Sequence, residues 1–225
     1  MCINYIKSRL IPLIILIFSF IGCKQGNETD KNGNVFKTIK IGGHVWMAEN
    51  FKTNKFQNGD LILEAKTENE WINACNKKVP AWCCYENNHK NGKKYGKLYN
   101  YYAVMDKRGL APVNWRIPSW DDWSELTVHI LGGECAASDK MKSEKGWING
   151  NGTNSSNFNA LPAGYRNVEG KFSSIGEDAI WWTSTECDSS QRIVGWFLSS
   201  DCIDIPCTGR NVYMEGYSLR CIKIK

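Results

Sequence analysis

Proline, methionine and histidine are scarce in this chain of 225 residues, at six, five and three. Its longest apolar run falls well short of the about 20 residues that a membrane-spanning helix needs. The three histidines, His44, His89 and His129, leave little material for base or zinc chemistry, and each reads as a satisfied or solvated side chain. There is no G-x-S-x-G elbow, Walker loop, H-E-x-x-H pair or dinucleotide fingerprint, so the common hydrolase, nucleotide-binding and zinc-protease classes lack their markers. An excess of one charge is missing too. Lys and Arg number 28 against 23 Asp and Glu, and +5 is too mild to imply nucleic-acid binding without a clustered basic face. The balance of 42% hydrophobic and 23% charged residues excludes a disordered or fibrous chain.

What is abundant is ten tryptophans, ten cysteines and twenty glycines. Tight turns around an aromatic core fit that composition better than a helix bundle does.

The first 22 residues read as a targeting signal. Lys7 and Arg9 precede an apolar stretch from Leu10 to Ile21, the length of a signal-peptide core. It stops at Phe20-Ile21-Gly22-Cys23, which resembles a bacterial lipobox with Phe in place of the usual Leu. Residues 1–22 are therefore expected to be a lipoprotein signal peptide, with Cys23 the lipidated first residue of the mature chain. Several acyl tails, at about 0.8 kcal/mol per buried methylene, make a firm anchor. The expected location is the cell envelope, as an outer-membrane lipoprotein exposed at the surface, with envelope lipid as partner through Cys23.

With Cys2 removed and Cys23 lipidated, eight cysteines remain: Cys75, Cys83, Cys84, Cys135, Cys187, Cys202, Cys207 and Cys221. An even number in an exported chain predicts disulfides, though spacing does not choose the pairing. Residues 23–34, polar and rich in Gly and Asn, read as a flexible tether. One α+β domain is expected over 35–225. It opens with VFKTIKI, Gly42-Gly43 and HVWM, a hairpin pattern. Thr67 to Glu70 forms a capping box for a short helix. KLYNYYAV (97–104) reads as a strand, as do IWWTS, RIVGWFL and SLRCIKI. Ser119 caps a helix over WDDWSELTVHIL, with Asp121 and Asp122 in its first turn and Gly132-Gly133 beyond its end.

Several segments, in order, resemble the Fibrobacter succinogenes major paralogous domain, a family of exported bacterial surface modules. They are HVWMAEN (44–50), AWC (81–83), YGKLYNYYAV (95–104), RGLAP (108–112), WRIPSWDDW (115–123), LGGE (131–134), FNALPAGYRN (158–167), WWTSTE (181–186) and GYSLRC (216–221). WRIPSWDDW and GYSLRC are also similar to the sulfatase-modifying branch of the C-type lectin-like fold. The resemblance implies one C-type lectin-like domain with small antiparallel sheets, one or two helices, paired N- and C-terminal strands and long loops. Disulfides are expected to staple those loops. It carries no established activity. Cys84 departs from the family, which more often has an aromatic residue after AWC.

The expected function is that of a lipid-anchored surface recognition module for a glycan or protein, without catalysis, cofactor or nucleic-acid partner. Aromatic faces beside planar donors suit sugar rings and peptide segments, which selects Tyr165, Arg166, Trp182, Arg192, Trp196 and Arg210 in the loop-rich half as the candidate surface. Because neighbours on a strand point to opposite faces, at most one of Trp181 and Trp182 is expected to be exposed. Calcium stays open at Asp201 and Asp204 or at Glu177 and Asp178, with oxygen ligands from dispersed loops. The alternative is a copper-dependent oxidase of the sulfatase-modifying type, using Cys202 and Cys207. Their four-residue separation matches that family's cysteine pair, but their surroundings do not.

Overall fold

The computed structural model describes residues 25–186, 193–199, 203–204 and 212–225. The strands in the first half are β1 (Gln25–Thr29), β2 (Val35–Ile41), β3 (His44–Met47), β4 (Leu63–Glu64), β5 (Ala81–Cys83), β6 (Leu98–Asn100) and β7 (Trp115–Arg116). Those in the second half are β8 (Ala163–Arg166), β9 (Phe172–Ile175), β10 (Ala179–Glu186), β11 (Ile193–Leu198), β12 (Ile203–Asp204), β13 (Gly216–Tyr217) and β14 (Ile222–Lys223). Helices α1 (Glu68–Asn76), α2 (His89–Tyr95), α3 (Tyr101–Val104), α4 (Trp120–Ser124) and α5 (Glu134–Met141) lie between them. The architecture is mixed α+β.

One sheet has the order β1-β2-β3-β14-β7. Its centre is the expected hairpin: β2 and β3 pair antiparallel, closing with Ile41 opposite His44 across a two-residue loop. Gly42 there has φ of +59°, which favours glycine, and a Cβ on it would lie 2.6 Å from Ile130 Cδ1 and push the tip of that side chain aside. β14 pairs with β3 through Ile222 and Trp46, joining the two ends of the domain as expected. The other sheet runs β12-β11-β10-β8-β13-β6-β5-β4, with β9 on β8. Most of its pairings are antiparallel; β10 with β8 and β4 with β5 are parallel.

Three local expectations need correction. Residues 25–29 are not tether but a strand paired with β2 from Gln25–Ile39 to Thr29–Val35. Glu28 ties it to the core sheet, accepting from Lys223 Nζ at 2.7 Å and Trp115 Nε1 at 3.2 Å. KLYNYYAV is strand only to Asn100, whose side chain accepts from Ala103 N and starts the one-turn α3. The helix after Ser119 is present and capped as expected, with Ser119 and Asp122 forming a reciprocal box. Beyond Ser124 it widens to a π-helix over Glu125–Ile130. Within that stretch Thr127 Oγ1 donates to the Trp123 carbonyl, and Leu131 N bonds back to Leu126 O. Such back-bonding by a β-branched residue loosens the ordinary ladder.

The disulfides expected at Cys75, Cys83, Cys84 and Cys221 are not formed. All four are buried free thiols. Each fills core space as a small hydrophobe, with Cys84 and Cys221 in one cluster and Cys75 and Cys83 in another. Cys135 is exposed, while Cys187, Cys202 and Cys207 lie outside the described residues.

A second cluster is almost a tryptophan stack. Trp123 lies parallel to Trp196, with centroids 5.8 Å apart and planes at 7°, and Trp46, Trp120 and Trp181 pack around them. Among the described residues, the indole N–H groups of Trp123 and Trp196 find no acceptor. Successive tryptophans on β10 do face opposite ways, Trp181 into this cluster and Trp182 into the larger one, but both sides are covered.

Candidate functional site

Four of the sequence segments converge on a buried polar knot. HVWMAEN ends in Asn50, GYSLRC contributes Ser218 and Arg220, WWTSTE begins with Trp181, and FNALPAGYRN begins with Phe158 and Asn159. The Asn50 amide is oriented by donating from Nδ2 to the Tyr95 carbonyl at 2.8 Å and to Ser218 Oγ at 3.2 Å. That leaves Asn50 Oδ1 to accept from Trp181 Nε1 at 2.8 Å and from Arg220 Nη2 at 3.1 Å. Arg220 also donates to the carbonyls of Phe158 and Asn159, and its guanidinium lies 4.0 Å from the Phe158 ring centroid. Burial pulls its pKa down to about 9, with Glu49 opposing, so it stays charged at neutral pH. A charged side chain satisfied by carbonyls and an amide is a rigid fastener for the segments it touches.

Asn159, fastened by Arg220, and Lys94, the neighbour of Tyr95, border an open cleft of about 590 Å³. Ser143, Glu144, Lys145 and Asn154 complete its polar lining, and Leu161 contributes an apolar patch. Asn154 and Asn159 both adopt left-handed backbone, at φ of 50° and 56°, a conformation that asparagine tolerates better than most residues. The Asn154 side chain accepts from Asn159 N at 2.7 Å and holds the turn. The facing wall is tied to the same segment, since Ser143 N bonds Ala160 O and Trp147 Nε1 donates to Ala160 O at 3.1 Å. A Cβ at Gly152 would meet Asp139 O at 2.4 Å, so this loop closes only with glycine. The cleft thus offers ammonium, amide, hydroxyl and carboxylate groups on a fixed backbone.

The residues selected from sequence lie elsewhere. Arg166, Trp182 and Trp196 are 1%, 0% and 1% exposed, so the surface expected from them does not exist. Arg166 is consumed by the carbonyls of Gly170, Ala65 and Thr67 and lies against the Trp71 and Phe172 rings. Trp182 donates to Tyr99 O at 2.7 Å. Tyr165 is half-buried, edge-on to Tyr217 at 6.2 Å. Arg192 and Arg210, like Cys23 and Asp201, lie outside the described residues. The lining residues were missed because Lys, Asn and Ser are ordinary surface types. The available signal was the Gly/Asn/Ser run GNGTNSSN at 150–157, which implies repeated left-handed turns. Among the described residues no group of three or more His, Cys, Asp or Glu side chains is placed to hold a metal ion, and no helix is long and apolar enough to cross a membrane.

Fold and cleft together define a mixed α+β module whose recurrent tryptophan and glycine segments build a scaffold around a polar surface opening. The profile of the Fibrobacter succinogenes major domain matches residues 39–223, and the chain belongs to that family. No curated protein and no solved structure matches it.

Proposed function

We propose that the protein is an exported, lipid-anchored surface module that binds a glycan in the cleft between Lys94, Lys145 and Asn159. The observation that carries this reading is the cleft itself. Six of its eight lining residues carry polar side chains, and Leu161 and the lysine stems add apolar area that suits the C–H faces of a sugar. Asn154 and Asn159 are held by hydrogen bonds within the fold rather than by the ligand. A hydroxyl-rich ligand exchanges water for such fixed groups at little ordering cost, whereas a protein partner would call for an apolar centre. The charged n-region and lipobox-like Phe20-Ile21-Gly22-Cys23 support export and anchoring.

A glycan array probed with the mature protein is the direct test. On any hit, Asn159→Gly removes the lining amide yet keeps the left-handed backbone, and Lys145→Ala removes one ammonium. Each is expected to weaken binding by at least tenfold with unchanged thermal stability. A hit bound equally well by both variants would place the site elsewhere. Palmitate labelling lost in Cys23→Ala is the result expected of the anchor; label retained by that variant overturns it.

A further inference from the structure

Away from the cleft, Cys84, the residue that departs from the family pattern, sits in a constructed setting. Its Sγ is 3.9 Å from His89 Nδ1, and the opposite ring nitrogen, His89 Nε2, is 3.5 Å from Glu64 Oε1. The chain between them turns through two left-handed residues, Glu86 and Asn87, at φ of 54° and 52°. On the next turn of α2 stands Gly92, where a Cβ would come within 2.3 Å of the sulfur, so the helix can lie against Cys84 only with glycine there. The thiol is buried while the imidazole is exposed, which leaves the pair open to solvent on the histidine side.

We propose that Cys84 and His89 form a binding site for a soft monovalent d¹⁰ ion, copper(I) or silver(I). With bonds of about 2.3 Å to sulfur and about 2.0 Å to imidazole nitrogen, one ion would span the 3.9 Å gap at roughly 130°. An outward shift of the exposed His89 ring by a few tenths of an ångström would bring it to the linear geometry that two-coordinate d¹⁰ ions prefer. Thiolate and imidazole donors select such ions over hard ones. Zinc wants four ligands. Glu64 cannot be a third, because its carboxylate faces the far nitrogen at 3.5 Å, where its charge favours a proton on Nε2 and leaves Nδ1 to the metal. The thiol proton leaves to solvent as the ion binds, so affinity rises with pH. Lys97, stacked 3.5 Å over the Trp82 ring, is the neighbouring cation, and it faces both Cys84 and Glu64.

The test is titration of the reduced, full-length mature protein with copper(I) against a competing chromophoric chelator, and with silver(I) followed by imidazole ¹⁵N resonances. One ion is expected at this site, with the Nδ1 resonance of His89 moving and its Nε2 resonance largely still. Cys84→Ala and His89→Ala should each abolish that ion, Glu64→Gln should weaken it about 10-fold, and Cys135→Ala should leave it intact. His89 is exposed, so its variant keeps the test valid even if Cys84→Ala folds poorly. Copper binding by His89→Ala equal to wild type, or an unmoved His89 resonance, overturns the proposal and assigns any bound ion to other thiols.

Discussion

Arg220 and Glu215 lie five residues apart in the closing segment of the fold, and burial acts on them in opposite ways. Arg220 exchanges water for three carbonyl-type acceptors and keeps its charge. Glu215 has the Tyr217 hydroxyl as donor, and Tyr217 is pinned at 4.6 Å against Trp182. Burial pushes the Glu215 carboxyl up to about 7 from its ordinary 4.5. A folded pKa above the unfolded one favours the protonated form, so the stability it confers is present below about pH 4.5 and is lost as pH rises through 7. Urea unfolding of wild type should therefore show a fall of about 2 kcal/mol between pH 5 and pH 8 that is absent from Glu215→Gln. Parallel pH curves for the two proteins would contradict that assignment.

Among the elements, the β2–β3 hairpin and the π-widened helix meet where Gly42 faces Ile130. Gly42→Ala adds a methyl group at 2.6 Å from Ile130 Cδ1 on a backbone of positive φ, and is expected to cost roughly 1–3 kcal/mol. Gly43→Ala, with only Lys225 Nζ at 4.0 Å, should cost much less, and a pair of thermal melts decides it. The hairpin was legible in the sequence because alternation and a glycine pair are local signals. Ser119 was legible for the same reason. The widening after Ser124 was not, because it depends on how Thr127 and Ile130 pack, and Gln25–Thr29 read as tether because its pairing with β2 owes nothing to apolar periodicity. At the candidate site, residue type misled. Arginines and tryptophans that look like ligand-binding groups were recruited by backbone carbonyls and by one another, and the cleft fell to commonplace lysines and asparagines.

For the whole molecule, the free thiols locate the source of stability. Cys75, Cys83, Cys84 and Cys221 are buried, and burial pushes the Cys75 thiol up to about 11 and Cys83 up to about 12, so neither is a ready nucleophile in the folded state. Alkylation without reductant should mark these four in denaturant and spare them in native buffer, as read by peptide mass mapping. Failure of the four to label after denaturation would mean that they are bridged. The load they do not carry falls on the tryptophan clusters and on the closure of β14 against β3. β1 bears on how such a body meets its surroundings. The described strand begins at Gln25, two residues after Cys23, so the lipid proposed on Cys23 would lie no more than about 7 Å of chain from the β1 edge. The domain would then be held close to the bilayer with that edge nearest the headgroups, and it would meet what comes to the membrane plane.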